Sequence, residues 1–427
     1  MEQKNNKTAV VLGGTVPHGE LIKLLKYRGY RTVLVDYFDN PPASQYADIH
    51  CKESAMDYDA VKKIAKQYGA DLVLSSCLDQ QMNIAMKVAE DLNLKHPFSS
   101  ETAKKVTNKR LMKQIMIENG IPTAKYYVVD ETVDLSGIEL EFPIIVKPDD
   151  SCGSAGITKI KERDDYILKE AIRKACHFGF SGKAIVEEYI EGTEMGVHGY
   201  VENGKTRIIL CTCKISIIED NISKQLCNLY IPHIQSYIKK KLEDVMRHIV
   251  DAFDLPNDTP LFMQTIIRDG EVYVIEFSPR VAGGTTSGVA KEYAGFDLID
   301  YSIESYIGIK KERKEVLELS KYVCCFPIYV KPGIFGEIEG CKELLSDGVV
   351  AKSIMLKQNG TEISNEKPSS ANVMKYIIDG STIDECFNKM MEADQRTEIY
   401  DMNGMSMKEG NSRLTYKLLF EKIKVLL

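Results

Sequence analysis

The stretch 261-LFMQTIIRDGEVYVIEFSPRVAGG-284 decides how the chain is read. LFMQTII and EVYVIEF read as two strands, Arg268-Asp269-Gly270 makes a tight turn between them, and Pro279 ends the second. Turn length then sets the chemistry. A two-residue Asp-Gly loop would put Gln264 and Glu276 on opposite faces of the hairpin. A three-residue loop, with Gly270 left-handed, puts them on one face as diagonal neighbours, and this is the expectation. Ser278 then shares that face, with Arg280 just past the strand end. A carboxylate, an amide and a hydroxyl beside an arginine are hard oxygen ligands suited to Mg²⁺ on phosphate oxygens. A plain amphipathic hairpin with a solvated polar face would show the same alternation. Against it, a lone Glu among Phe262, Val272 and Val274 needs a partner, because burying an unpaired charge is costly.

Outward from the hairpin, 427 residues leave room for two or three domains with real cores. Charged residues at 27% and hydrophobic ones at 44% are ordinary for a soluble globular protein. A net charge of −7 without a basic run argues against a nucleic-acid surface. No apolar run approaches membrane-spanning length, and MEQKNNKTAVVLGG offers no signal core, so a cytoplasmic protein is expected. The eleven cysteines form no paired CxxC clusters and read mostly as small buried hydrophobes in a reducing compartment, not as a zinc site.

The N-terminal hundred residues alternate strand and helix: TAVVLGG, ELIKLLKYRG, TVLVDYFD, AVKKIAKQYG, DLVLSS and NIAMKVAEDLNL. That pattern predicts a small parallel α/β domain. Gly13-Gly14-Thr15 lets backbone approach a ligand, but the full GxGxxG spacing is absent, which leaves a dinucleotide fingerprint weak. His18 and Asp79 fall at strand ends, where open sheets bind ligands, although loop residues of their type are commonly just polar surface. Residues 101–122 predict one helix carrying Lys109 and Lys113 a turn apart.

In 142-FPIIVKPDDSCGSAGITKI-160 an apolar strand delivers Lys147 to a loop of small residues, and a second strand returns. Such a loop frees backbone N–H groups to wrap phosphate oxygens beside a fixed positive charge; a plain glycine-rich hairpin is the bland alternative. In 184-AIVEEYIEGTEMGVHGYVENGK-205, acceptors at a strand end suit adenine, and a carboxylate seven residues on suits ribose hydroxyls. An acidic edge protecting a sheet would look similar. Lys214 projects from the strand LCTCKISI toward substrate or solvent, and a long amphipathic helix then leads into the hairpin.

Taken together, these motifs resemble the ATP-grasp ligases, the group that includes biotin carboxylase, carbamoyl-phosphate synthetase large subunit, purine-pathway enzymes, D-alanine ligase and L-amino-acid ligases. The resemblance runs over essentially the whole chain. It implies an α/β (α+β) ATP-grasp fold in three parts. These are a Rossmann-like pre-ATP-grasp domain over 1–105, the ATP-grasp domain over 106–310 with a lid at about 123–190, and a mixed C-terminal lobe over 311–427 that helps close the acceptor pocket or a dimer surface.

By the same resemblance, Lys109 and Lys147 hold ATP phosphates under a flap that includes Ser151, Gly153, Ser154 and Gly156. Glu187, Glu188 and Ile190 fall where adenine is read, and Glu194 where ribose is. Glu276, Gln264 and Ser278 would hold Mg²⁺, with Arg280 catalytic. The second strand of the metal hairpin usually reads Glu-x-Asn-x-Arg, so Ser278 and Gln264 leave less negative charge here and make one firmly held ion the expectation. The implied reaction is ATP-dependent joining of a small-molecule carboxylate to an amine through an acyl phosphate. A bicarbonate-using carboxylase-like enzyme and a degenerate nucleotide-binding module are the alternatives.

Overall fold

The computed structural model describes residues 7–150, 156–179, 181–219, 222–256, 258–309, 316–364 and 371–409. Near-continuous apolar runs at the start of the chain demand cover on both sheet faces, which a parallel sheet with crossover helices supplies. In order come β1 (Lys7–Leu12), α1 (Val16–Tyr27), β2 (Tyr30–Val35), β3 (Ile49–Cys51), α2 (Tyr58–Gln67), β4 (Leu72–Leu74) and α3 (Asp79–Asp91). The strands pair in parallel in the order β3-β2-β1-β4. That order reverses beside β1, so the carboxyl ends of β1 and β4 form the crevice where open sheets bind ligands. Thr15 and His18 follow β1, and Asp79 opens the helix that follows β4.

The single helix expected over 101–122 is two, α4 (Ser100–Thr107) and α5 (Lys109–Glu118). Asn108 is extended, at φ −98° and ψ 111°, and its side chain accepts from Leu111 N at 3.0 Å. An asparagine that caps one helix ends the one before it. The break starts a fresh helix axis at Lys109.

Four strands and one helix make a separate small layer: β5 (Tyr126–Val129), β6 (Ile144–Pro148), β7 (Thr158–Ile160), α6 (Asp165–Phe178) and β8 (Ala184–Glu188). They pair in the order β5-β8-β6-β7 and bury their own hydrophobic cluster, with Ile144, Val146, Leu168, Ile172 and Val186 at its centre.

The large sheet begins with β9 (Thr193–Glu202), β10 (Lys205–Glu219) and β11 (Ile222–Ile231), continues after α7 (Ser236–Ala252) with β12 (Pro260–Arg268) and β13 (Glu271–Ser278), and is covered by α8 (Thr286–Tyr293) and α9 (Leu298–Ile307). The segment after the hairpin therefore holds two helices. Gly295 turns at φ 65° between them, and Asp297 caps the second through Ile299 N and Asp300 N. Arg28 at the end of α1 reaches Asp300 at 2.5 Å and Glu304 at 3.2 Å, which fastens the N-terminal domain to α9.

Then follow β14 (Tyr322–Tyr329), β15 (Gly333–Glu339), α10 (Cys341–Ser346), β16 (Lys352–Met355), β17 (Glu362–Ile363), β18 (Asn372–Gly380), α11 (Ile383–Arg396) and β19 (Glu398–Asp401). The large sheet has eight strands, β13-β12-β9-β10-β11-β14-β18-β16, so three strands of the C-terminal lobe complete it. A boundary at 311 thus cuts across a hydrogen-bonded sheet, where Leu229 on β11 pairs with Cys324 on β14. The apolar run around Cys324 and Cys325, both buried, explains why this strand seats centrally. No described helix is long and apolar enough to cross a membrane.

Candidate functional site

The turn of the central hairpin is the two-residue kind: Asp269 and Gly270 sit at φ 53° and 76°, and Arg268 pairs with Glu271. The expected three-residue loop is therefore corrected. Gln264 and Glu276 nevertheless share a face, for a different reason. The register slips between Gln264 and Thr265, so that Thr265 pairs with Val274 and Gln264 with Glu276, leaving Ile275 as the extra residue of a β-bulge. The bulge makes them direct cross-strand partners instead of diagonal neighbours. Ser278 stands two residues on, opposite Phe262.

Each polar group on this face has a partner, and three of the partners, Glu194, Asp79 and Lys109, come from elsewhere in the chain. Glu194 lies on β9 across from Ile266, accepts a hydrogen bond from Gln264 Nε2, and pairs with Lys214 Nζ at 2.9 Å. Ser278 Oγ donates to Asp79 Oδ1 at 2.7 Å. Arg280 grips the same carboxylate with Nε to Oδ1 at 2.7 Å and Nη2 to Oδ2 at 2.5 Å. Burial alone would lift the Asp79 carboxyl, but the Arg280 guanidinium outweighs it and holds it below the usual range. Lys109 Nζ stands 3.8 Å from Glu276 Oε2.

Glu276 is thus not the only carboxylate at the hairpin, as the spacing suggested. Glu194 touches Gln264 and Asp79 touches Ser278 and Arg280. Among the described residues, no three His, Cys, Asp or Glu side chains cluster closely enough to hold a metal by themselves. A hard cation here would need one or two of these oxygens plus phosphate oxygens, which is how Mg²⁺ is commonly held.

α5 links the hairpin to the small layer. Its backbone N at Lys109 donates to Asp149 O at 3.1 Å, and Lys113 Nζ donates to Thr123 Oγ1 at 2.8 Å, whose hydroxyl donates to Val274 O on β13 at 2.8 Å. Beneath it, one carboxylate serves two lysines: Glu187 Oε1 lies 2.5 Å from Lys147 Nζ, and Oε2 lies 2.8 Å from Lys113 Nζ. The three are 7%, 5% and 2% exposed, respectively. Burial works to raise the Glu187 carboxyl, yet Lys147 and then Lys113 pull it down to about 2. Burial lowers the Lys113 ammonium despite Glu187. Both oxygens of Glu187 are therefore engaged with lysines instead of standing open at the strand end.

Glu188 turns to the small layer, where Oε1 accepts from Glu141 N at 3.3 Å, and Ile190 is 8% exposed. Gly156 is buried at φ 73°, with Phe178 and Pro148 so close that a Cβ would come within 2.9 Å of each. Ser151, Gly153 and Ser154 lie outside the described residues. His18 is fully buried, hydrogen-bonded to Thr15 Oγ1 at 2.7 Å, and so packs within the N-terminal domain. Lys113, buried against Glu187, is a member of the Lys147–Glu187 cluster that the sequence reading left without a role. Its only signal was one-turn spacing from Lys109, which also describes a solvated helix face.

One helix, starting at Lys109, thus joins the carboxylate-lined hairpin to the buried Lys147–Glu187–Lys113 cluster of the small layer. Residues 140–288 match the ATP-grasp domain family. The chain is 24% identical over 283 residues to formate-dependent phosphoribosylglycinamide formyltransferase of Methanocaldococcus jannaschii, covering 63% of this chain and 69% of that one. It is 25% identical over 318 residues to the carbamoyl phosphate synthase large chain of Thermoplasma acidophilum, over 72% of this chain but 29% of that one. An L-amino acid ligase from Bacillus licheniformis superposes with a TM-score of 0.78 at 19% identity, covering 93% of this chain and 99% of the other.

Proposed function

We propose that the chain is an ATP-dependent carboxylate–amine ligase that requires Mg²⁺. The observation that most supports this is the hairpin face, where Glu276 and Gln264 stand opposite each other and Ser278 and Arg280 are tied to Asp79. The relatives point the same way. Formate, named in one, and the amino acid named in another are both carboxylic acids.

On this reading Lys109, Lys147 and the amides of the 151–156 segment, at Ser151, Gly153, Ser154 and Gly156, hold the phosphates of ATP. The backbone edge at Glu188 and Ile190 meets adenine, Glu194 meets ribose, and Glu187 acts through the lysines. The donor set fits a hard cation: Glu276 supplies charge, while Gln264 and Ser278 each keep an oxygen free to ligate while donating their hydrogens to Glu194 and Asp79. Bound there, Mg²⁺ would neutralise phosphate charge and hold it in line for attack.

The substrate carboxylate attacks the γ-phosphorus of ATP and ADP leaves. The amine then attacks the acyl carbon, phosphate departs, and the amine proton passes to solvent. Arg280, oriented by Asp79, steadies charge on the transferring phosphoryl group and on the acyl phosphate. The partners are small molecules, a carboxylic acid and an amine, and the setting is cytoplasmic. The test is ADP release across paired carboxylates and amines. Release that needs both substrates supports the ligase, release on bicarbonate alone points to the carboxylase-like reading, and no release with any pair contradicts both.

A further inference from the structure

We propose that Lys113 is a positioning residue of the nucleotide site: it takes over the charge of Glu187 so that Lys147 can leave that carboxylate for a phosphate oxygen. The inference rests on the reading that Lys147 meets the phosphates of ATP.

The charge count comes first. Two lysines and one glutamate, all nearly buried, carry a net +1, an excess that an incoming anion would compensate. If the cluster were Lys147 and Glu187 alone, it would be a neutral pair. Drawing Lys147 away would then strand a buried carboxylate, which is strongly unfavourable. With Lys113 present, Glu187 keeps a partner whichever way Lys147 turns.

The anchoring separates the two lysines. Lys113 Nζ is held by Thr123 Oγ1 at 2.8 Å, a hydroxyl itself pinned to Val274 O, and lies 5.4 Å from the centre of the Tyr126 ring. Among the described residues, Lys147 Nζ has Glu187 as its one polar partner. Register places the two on one sheet face, because Ile145 pairs with Glu187 and Lys147 is two residues further along β6. Lys147 also sits just before the 149–150 turn that leads into the 151–156 segment. The fixed lysine and the releasable lysine are therefore distinguishable on geometry alone.

Mg-ATP and adenosine binding to the full chain, measured by calorimetry, test this. Lys113→Met should weaken Mg-ATP at least about tenfold, the size of one charge-assisted contact, and leave adenosine within about twofold. Lys113→Arg should stay within about threefold of wild type. The double variant Lys113→Met/Glu187→Gln restores the net +1 and should recover Mg-ATP binding to within about threefold of wild type, which a purely structural role for Lys113 would not produce. It also covers the case in which Lys113→Met alone fails to fold. Unchanged Mg-ATP affinity in Lys113→Met, or a folded double variant at least about tenfold weaker than wild type, would overturn the inference. Wild type that binds no Mg-ATP would instead sink the nucleotide-site reading beneath it.

Discussion

Replacing Glu187 with Gln mimics the protonated carboxyl at a position where the charged form is strongly favoured. The folded pKa is drawn from the ordinary 4.5 to about 2, against the upward push of burial, by Lys147 and Lys113. At about 1.4 kcal/mol per unit, a fall of that size corresponds to about 3 kcal/mol of stability at neutral pH. For a depressed acid, that contribution is fully present above the unfolded value near 4.5 and is lost as pH falls through about 2. Urea-unfolding midpoints of wild type and Glu187→Gln, taken side by side, should therefore differ by about 3 kcal/mol at pH 7 and by about half of that at pH 3. A gap of the same size at both values would show that Glu187 stabilises by packing and not by charge.

Three further outcomes follow from the hairpin. Asp79→Asn strands Arg280, and because the pair keeps some contact with solvent the expected cost is about 2–3 kcal/mol; in a urea-unfolding cycle with Arg280→Met, a coupling under about 0.5 kcal/mol would mean the two do not act together. Glu276→Gln should lower turnover by about 10²–10³ with the fold intact, and near-full activity would remove Glu276 from the metal site. Gln264→Glu sets a carboxylate against Glu194, so in EDTA it should lose about 1 kcal/mol by thermal unfolding and regain it with added Mg²⁺. Equal melting with and without Mg²⁺ would place the cation elsewhere.

What the sequence allowed and what it hid can be traced to particular residues. The alternation AVVL, TVLV and VLSS carried the parallel domain, because fully buried strands advertise themselves as apolar runs. The three-residue β3, by contrast, is too short to rise above loop composition. Gln264 and Glu276 were correctly placed on one face but from the wrong turn, since a bulge at Ile275 has no composition cue of its own. The joining of β14 to β11 is a pairing between residues about a hundred positions apart, beyond what local periodicity reports. Partners of the site were hidden for the same reason: Asp79 reaches Arg280 across 201 positions, and Glu187 meets Lys113 only after a helix and a sheet from different parts of the chain pack together.

Trapping with hydroxylamine tests the ligase account most directly, because an acyl phosphate transfers its acyl group to that nucleophile to give a hydroxamate. The wild-type enzyme, incubated with Mg-ATP and the carboxylate that supports ADP release, should form hydroxamate in step with ADP when hydroxylamine replaces the amine. Arg280→Lys should cut both together, since an ammonium cannot make the bidentate contact. ADP released with that carboxylate and amine but no hydroxamate trapped would contradict an acyl-phosphate route.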